Sequence, residues 1–290
     1  MADGYIESRM ADHIASGSAR RTTAPMGIRK GVAAALNALS LVSVTTFAQG
    51  RVVDVQSPSM RVFVPSKPSG MALVACPGGG YSKVAADHEG YDWAPFFNSL
   101  GVTYAVLDYT LPDGDRSRPL TDVADAFRVL ADNAEEWHVD ISWTGIMGFS
   151  AGGHLAAAMA NGAVPDCRPA FQILFYPVVS LMPEITHPGT AAQFLGDADS
   201  PELRARYSSE LQASPSTPPA LLLLSADDKV VDPLNSINYF LAMRRHGVDA
   251  SLHIYPSGGH GWGYRRDQMA FHNAVMVELA AWIRKRQEKL

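Results

Sequence analysis

Gly145-Ile146-Met147-Gly148-Phe149-Ser150-Ala151-Gly152-Gly153-His154 is the stretch that decides the fold. A short apolar run leads into a serine set between glycines, and an alanine-rich segment from Leu155 to Ala160 follows until Asn161-Gly162 stops it. Gly148-Phe149-Ser150-Ala151-Gly152 fits G-x-S-x-G, the sharp strand-to-helix turn that lifts a serine hydroxyl above a parallel sheet. Glycine is needed on both sides because backbone meets backbone there and a Cβ would collide. The pentapeptide alone is a weak signal. Its apolar approach and the helix-forming run behind it make Ser150 a candidate nucleophile. The competing reading is a tight turn whose serine merely caps the helix.

Outward from this turn the chain alternates strands with helices. Arg51 to Val55 and Met60 to Val64 alternate like early antiparallel strands, whereas Met71 to Ala75 and Val102 to Leu107 are continuous apolar runs, as buried parallel strands are. Thr121 to Trp137 carries Val123, Phe127, Leu130, Ala134 and Trp137 on one helical face. Beyond the serine turn, Phe171 to Phe175 and Leu221 to Leu224 read as strands. Asp232-Pro233 opens a helix that Gly247 closes, Ser251 to Tyr255 is a last strand, and Gln268 to Arg286 a last amphipathic helix. Repeated β-then-α units predict one α/β domain, a mostly parallel central sheet with helices on both faces. No linker or internal repeat divides residues 50–290.

The chain has 290 residues, 47% of them hydrophobic and 18% charged, enough to bury a large core and unlike a disordered chain. A formal net charge of −5 without a basic stripe argues against nucleic acid as a partner. Arg284-Lys285-Arg286 is the one basic cluster, and it falls in the last turn of a helix, where cations favour the dipole. Two cysteines, Cys76 and Cys167, exclude a disulfide scaffold and a thiolate zinc site; they read as buried free thiols, with a single bridge left open. No apolar stretch is long enough for a membrane span.

Residues 1–25 are small, polar and aperiodic, as in a disordered leader or an added extension. Met26-Gly27-Ile28-Arg29-Lys30 then precedes the apolar Gly31 to Val44, and Thr46-Phe47-Ala48 offers small residues where a signal peptidase reads. Residues 26–48 therefore read as a secretory signal, which predicts a periplasmic or secreted protein with a domain over 49–290. An amphipathic surface helix is the alternative.

In such sheets functional groups gather in loops at the carboxyl ends of the strands. After Met71–Ala75 comes Pro77-Gly78-Gly79-Gly80-Tyr81, where consecutive glycines let N–H groups face an anionic oxygen. The amides of Gly79, Gly80 and Ala151 are thereby nominated as an oxyanion hole; a phosphate-cradling loop or plain turn is the rival. After Leu221–Leu224 comes Ser225-Ala226-Asp227-Asp228-Lys229-Val230-Val231-Asp232, with Asp228 favoured over Asp227 as the carboxylate that orients a histidine, and Asp232 engaged at the helix start. After Ser251–Tyr255 comes Pro256-Ser257-Gly258-Gly259-His260-Gly261-Trp262-Gly263, whose glycine-flanked His260 is the candidate base. His154 falls on the helix after the serine and reads as structural. The chain order Ser150, Asp228, His260 is that of α/β-hydrolases.

The motifs carry a resemblance. Cys76-Pro77-Gly78-Gly79-Gly80-Tyr81, Asp87-His88-Glu89-Gly90, Gly148-Phe149-Ser150-Ala151-Gly152-Gly153-His154-Leu155-Ala156, Phe175-Tyr176-Pro177-Val178, Pro218-Pro219-Ala220 and Gly258-Gly259-His260-Gly261-Trp262-Gly263 resemble secreted bacterial acetylesterases of the α/β-hydrolase fold, a group often linked to acetylxylan. The likeness runs from about Met71 to the C-terminus. It departs at Asp232, where relatives usually carry proline. It implies a serine esterase acting on acetylated carbohydrate or small esters, with no metal or organic cofactor. Feruloyl and general short-chain carboxylesterases share the triad, and a non-catalytic binding module is the reading from another class. The short segment between Phe175 and Leu221 leaves no room for a large lid, and Tyr81, Glu89 and Trp262 are candidate wall residues of the substrate site.

Overall fold

A computed structural model describes residues 50–290. The expected leader over 1–25 and signal over 26–48 lie outside the described residues.

Eight strands form one sheet: β1 (Arg51–Gln56), β2 (Ser59–Val64), β3 (Gly70–Cys76), β4 (Thr103–Leu107), β5 (Val139–Phe149), β6 (Gln172–Phe175), β7 (Ala220–Ser225) and β8 (Ala250–Tyr255), in the order β1-β2-β4-β3-β5-β6-β7-β8. β1 and β2 pair antiparallel, β2 pairs antiparallel with β4, and all later pairings are parallel. The two alternating segments are thus the antiparallel strands, and the continuous apolar runs are the parallel ones buried on both faces. In β3, Met71, Leu73 and Ala75 enter one core and Ala72, Val74 and Cys76 the other, so the period of two divides a single strand between the two sides of the sheet.

Helices α1 (Ala94–Ser99), α2 (Ser117–Asp132), α3 (Ala134–Trp137), α4 (Ser150–Ala160), α5 (Pro188–Leu195), α6 (Pro201–Arg206), α7 (Ser209–Gln212), α8 (Leu234–Arg245) and α9 (His272–Gln287) connect or cover the strands. Several boundaries differ from expectation. The single helix expected over Thr121–Trp137 starts at Ser117, with Pro119 tolerated in its first turn, and breaks at Asn133, whose backbone leaves the helical region and whose side-chain amide caps the Val129 carbonyl at 2.8 Å. The strand before the serine extends back to Val139, and its outer half alternates less because it is exposed. The segment between β6 and β7 holds α5, α6 and α7, three short helices. α9 begins at His272 rather than Gln268. At the start of α8, Asp232 accepts the Leu234 amide at 2.9 Å, engaged as its position suggested. Both cysteines are free, but Cys167 is only half-buried.

The register places the strand ends together. Cys76 lies beside Gly148, Phe149 beside Phe175, and Ser225 beside Tyr255. The loops after β3, β5, β7 and β8 therefore open on one edge of the sheet.

Candidate active site

At that edge the chain turns from β5 into α4 through Ser150, which holds φ +52°. A side chain in the left-handed region is strained by about 1–2 kcal/mol, and such strain persists only where the surroundings fix it. The surroundings here are backbone. A Cβ on Gly148 would lie 2.2 Å from the Gly152 carbonyl oxygen, and one on Gly152 would lie 2.1 Å from the carbonyl oxygen of Cys76. The two glycines let α4 press against the ends of β5 and β3, which drives the intervening serine out over the sheet.

Ser150 Oγ lies 2.8 Å from Nε2 of His260, and Nδ1 of the same ring lies 2.6 Å from Asp228 Oδ2. The other Asp228 oxygen accepts the amides of Val230 and Val231 at 2.8 and 3.0 Å. A carboxylate can only accept, so Nδ1 carries the proton and Nε2 is left to take one from the serine. Asp228 is shut from water, its side chain 1% exposed against 15% for His260. Asp227 takes a different part: it accepts the Gly259 amide at 2.8 Å and braces the loop that carries the histidine. Of the two neighbouring aspartates, it is Asp228 that meets the imidazole.

The loop after β3 runs alongside. Gly78 donates inward to Glu89 Oε2 at 2.9 Å, and the Gly79 carbonyl accepts the amides of Ser82 and Lys83, which closes the loop on itself. Among the described residues no acceptor engages the amides of Gly79, Gly80 or Ala151. A Cβ built on Gly78 would approach Ser150 Cβ to 3.0 Å, so the loop and the serine are in contact. Free N–H groups beside a nucleophile can hold an oxygen that gains charge.

The three expected wall residues are placed elsewhere. Tyr81 and Trp262 are fully buried and Glu89 nearly so, so none of them offers a surface to a substrate. Tyr81 donates its hydroxyl to His154 Nδ1 at 2.9 Å and stacks on Phe194, and burial pushes its phenol well above the ordinary range. Trp262 packs against Phe175 and Tyr176 and donates from Nε1 to Ser225 Oγ at 3.2 Å. Glu89 lies beneath the glycine loop. Tyr81 and Trp262 each follow a site residue closely in sequence, but their rings turn into the core, and Glu89 turns inward to the Gly78 amide and the Tyr176 hydroxyl.

His154 is structural, as its place on the helix suggested. Its Nε2 donates to the Tyr207 carbonyl at 2.9 Å, and burial lowers its pKa from 6.5 to about 4. Sequence reasoning missed two residues. Tyr176, with φ +35°, sets its ring 4.8 Å from that of His260. His187 caps α5 by accepting the Thr190 amide on Nδ1 at 3.2 Å, and its pKa is lowered first by burial and then by the neighbouring His260. Tyr176 stands in the Phe175-Tyr176-Pro177-Val178 motif but drew no role there, although a tyrosine directly after a strand at the functional edge was a usable signal; no motif marks His187. Among the described residues no group of three or more His, Cys, Asp or Glu side chains is arranged to hold a metal ion, and no helix is long and apolar enough to cross a membrane.

The chain is 41% identical over 229 residues to an acetylxylan esterase of Xylanibacter ruminicola, covering 78% of this chain and 48% of that protein. It is 30% identical over 211 residues to endo-1,4-beta-xylanase B of Butyrivibrio fibrisolvens, covering 68% of this chain and 33% of that one. This chain thus spans about half the length of the first relative and about a third of the second. Among solved structures, an acetyl ester-xyloside bifunctional hydrolase from Caldicellulosiruptor lactoaceticus matches with a TM-score of 0.71 and 31% identity, over 78% of this chain and 88% of that one. The sequence profile described as the alpha/beta hydrolase fold matches residues 74–263, a span that holds the serine turn, the aspartate and the histidine. The profile covers well over half of the chain and the sheet has the matching mostly parallel order, so this chain is a member of the α/β-hydrolase fold family.

Proposed function

We propose that this chain is a serine esterase that removes short acyl groups, acetyl above all, from carbohydrate esters such as acetylated xylan. The observation that carries the reading is Ser150, held at a left-handed φ with its oxygen 2.8 Å from a histidine nitrogen, beside amides that have no acceptor among the described residues. In the reaction, His260 takes the hydroxyl proton as Ser150 attacks the ester carbonyl. The amides of Gly79, Gly80 and Ala151 receive the oxyanion, and Asp228 steadies the imidazolium. The imidazolium returns the proton to the departing sugar oxygen, leaving an acetyl-enzyme. Water then attacks this ester by the reverse proton path and releases acetate.

The chain between β6 and β7 is spent on three short helices, which favours a shallow mouth suited to a small acyl group on a bulky alcohol. The names of the acetylxylan esterase and acetyl ester-xyloside hydrolase relatives support the carbohydrate part of the reading. We assign residues 26–48 to a secretory signal and 49–290 to the catalytic domain, which suits a substrate outside the cell.

Acetate release from acetylated xylan, set against acetyl, butyryl and feruloyl aryl esters, tests the reading. Acetyl esters are expected to be turned over fastest, and Ser150→Ala to lower kcat by about 10⁶. Faster turnover of feruloyl esters would move the assignment to a feruloyl esterase. A Ser150 that no fluorophosphonate labels would leave only a binding module.

A further inference from the structure

Glu89 is a buried carboxylate that the reaction above does not use, 3% exposed and bonded to neutral donors. Burying a charge is costly unless its oxygens are satisfied, so the position of those donors matters. Oε2 accepts the Gly78 amide at 2.9 Å, and Oε1 accepts the Tyr176 hydroxyl at 2.7 Å. The Tyr176 oxygen in turn accepts the amide of Gly263 at 2.8 Å. The neighbouring His88 carbonyl accepts the Tyr264 amide, also at 2.8 Å. Residues 88 and 89 thus clamp the glycine loop, which bears the free amides, to the loop that bears His260. The Gly78 N–H is spent inward on Glu89, which leaves the following amides, Gly79 and Gly80, as the unengaged ones.

We propose that Glu89 and Tyr176 form a positioning pair that fixes the spacing between the oxyanion amides and the catalytic imidazole; the proposal rests on the esterase reading. Charge-assisted bonds are the stronger kind, so a single carboxylate tied to both loops is a stiff link. Its effect falls on the transition state, where oxyanion and imidazolium exist together, and hardly on the bound ester.

Tyr176→Phe cuts the link to Gly263 while leaving the bond between Gly78 and Glu89. Glu89→Gln keeps the shape but removes one accepting oxygen. Displacing catalytic groups by about 1 Å costs about 10²-fold, so each variant is expected to lose about 10- to 100-fold in kcat on an aryl acetate, with KM within about threefold. The double variant is expected to lose no more than the worse single one, because both cut the same link. Urea melts verify that each variant is folded at the assay temperature. Both folded variants keeping wild-type kcat, or a double variant multiplying the two losses, would overturn the proposal. Fluorophosphonate labelling of Ser150, compared across the same variants, reads the link even if wild-type protein hydrolyses none of the esters. In that case the substrate reading fails separately.

Discussion

Asp228 turns one carboxylate oxygen to His260 Nδ1 at 2.6 Å and the other to the amides of Val230 and Val231, so both the ring and the carboxylate are held at once. Asp228→Asn can keep the two amide bonds only by facing its NH₂ towards Nδ1. That forces the ring proton onto Nε2, where the serine hydroxyl must donate. The expected loss is about 10⁴-fold in kcat with little change in stability. Asp227→Asn retains an oxygen for the Gly259 amide and is expected to stay within about tenfold of wild type. Steady-state kinetics on one aryl acetate compares the two, and the reverse ranking would exchange their roles.

Gly152→Ala tests the serine turn as packing. Its Cβ would meet the carbonyl oxygens of Cys76 and Pro77 at 2.1 and 2.3 Å, and neither backbone group can move aside without disturbing β3. A loss of about 3–5 kcal/mol, or failure to fold, is expected in urea denaturation. A well-folded variant with wild-type stability would show that α4 need not approach so closely.

His154 sets a pH dependence of stability. Its folded pKa is lowered to about 4 against 6.5 unfolded, so between those values the unfolded chain binds a proton that the folded one refuses. Its contribution is complete above pH 6.5 and drains away as the pH falls towards 4. In full it is on the order of 3 kcal/mol. Glutamine can accept from Tyr81 and donate to the Tyr207 carbonyl without titrating. The stability lost between neutral and mildly acidic pH is therefore expected to be smaller in His154→Gln by about 2–3 kcal/mol. Equal losses in both proteins would put the acid sensitivity elsewhere.

The sheet and the serine turn were legible because their signals are local. Apolar runs such as Met71 to Ala75 and the glycines around Ser150 carry the constraint in their own chemistry. The order of Ser150, Asp228 and His260 added the topology. Asn133 hid its break because a single polar residue on the outer face of a helix leaves the apolar period intact. α5 to α7 went unread because each is too short to show a period. Tyr81, Glu89 and Trp262 misled for another reason: sequence shows which loop a residue is on, whereas the side it faces is set by cavities formed from distant elements. Glu89 is the clearest case, since its partners come from positions 78 and 176.

Ser150 stands at the head of α4, and every later residue of that helix is shut away from water. Beyond its first turn, whose amides lack helical acceptors, its hydrogen-bonded amides are buried, so protons there are expected to leave only when the sheet comes apart. Ser150 is thus mounted on a helix expected to open only with the sheet beneath it. As denaturant is added, remaining activity would follow the folded fraction to the end, with no earlier stage in which an intact but blunted enzyme accumulates.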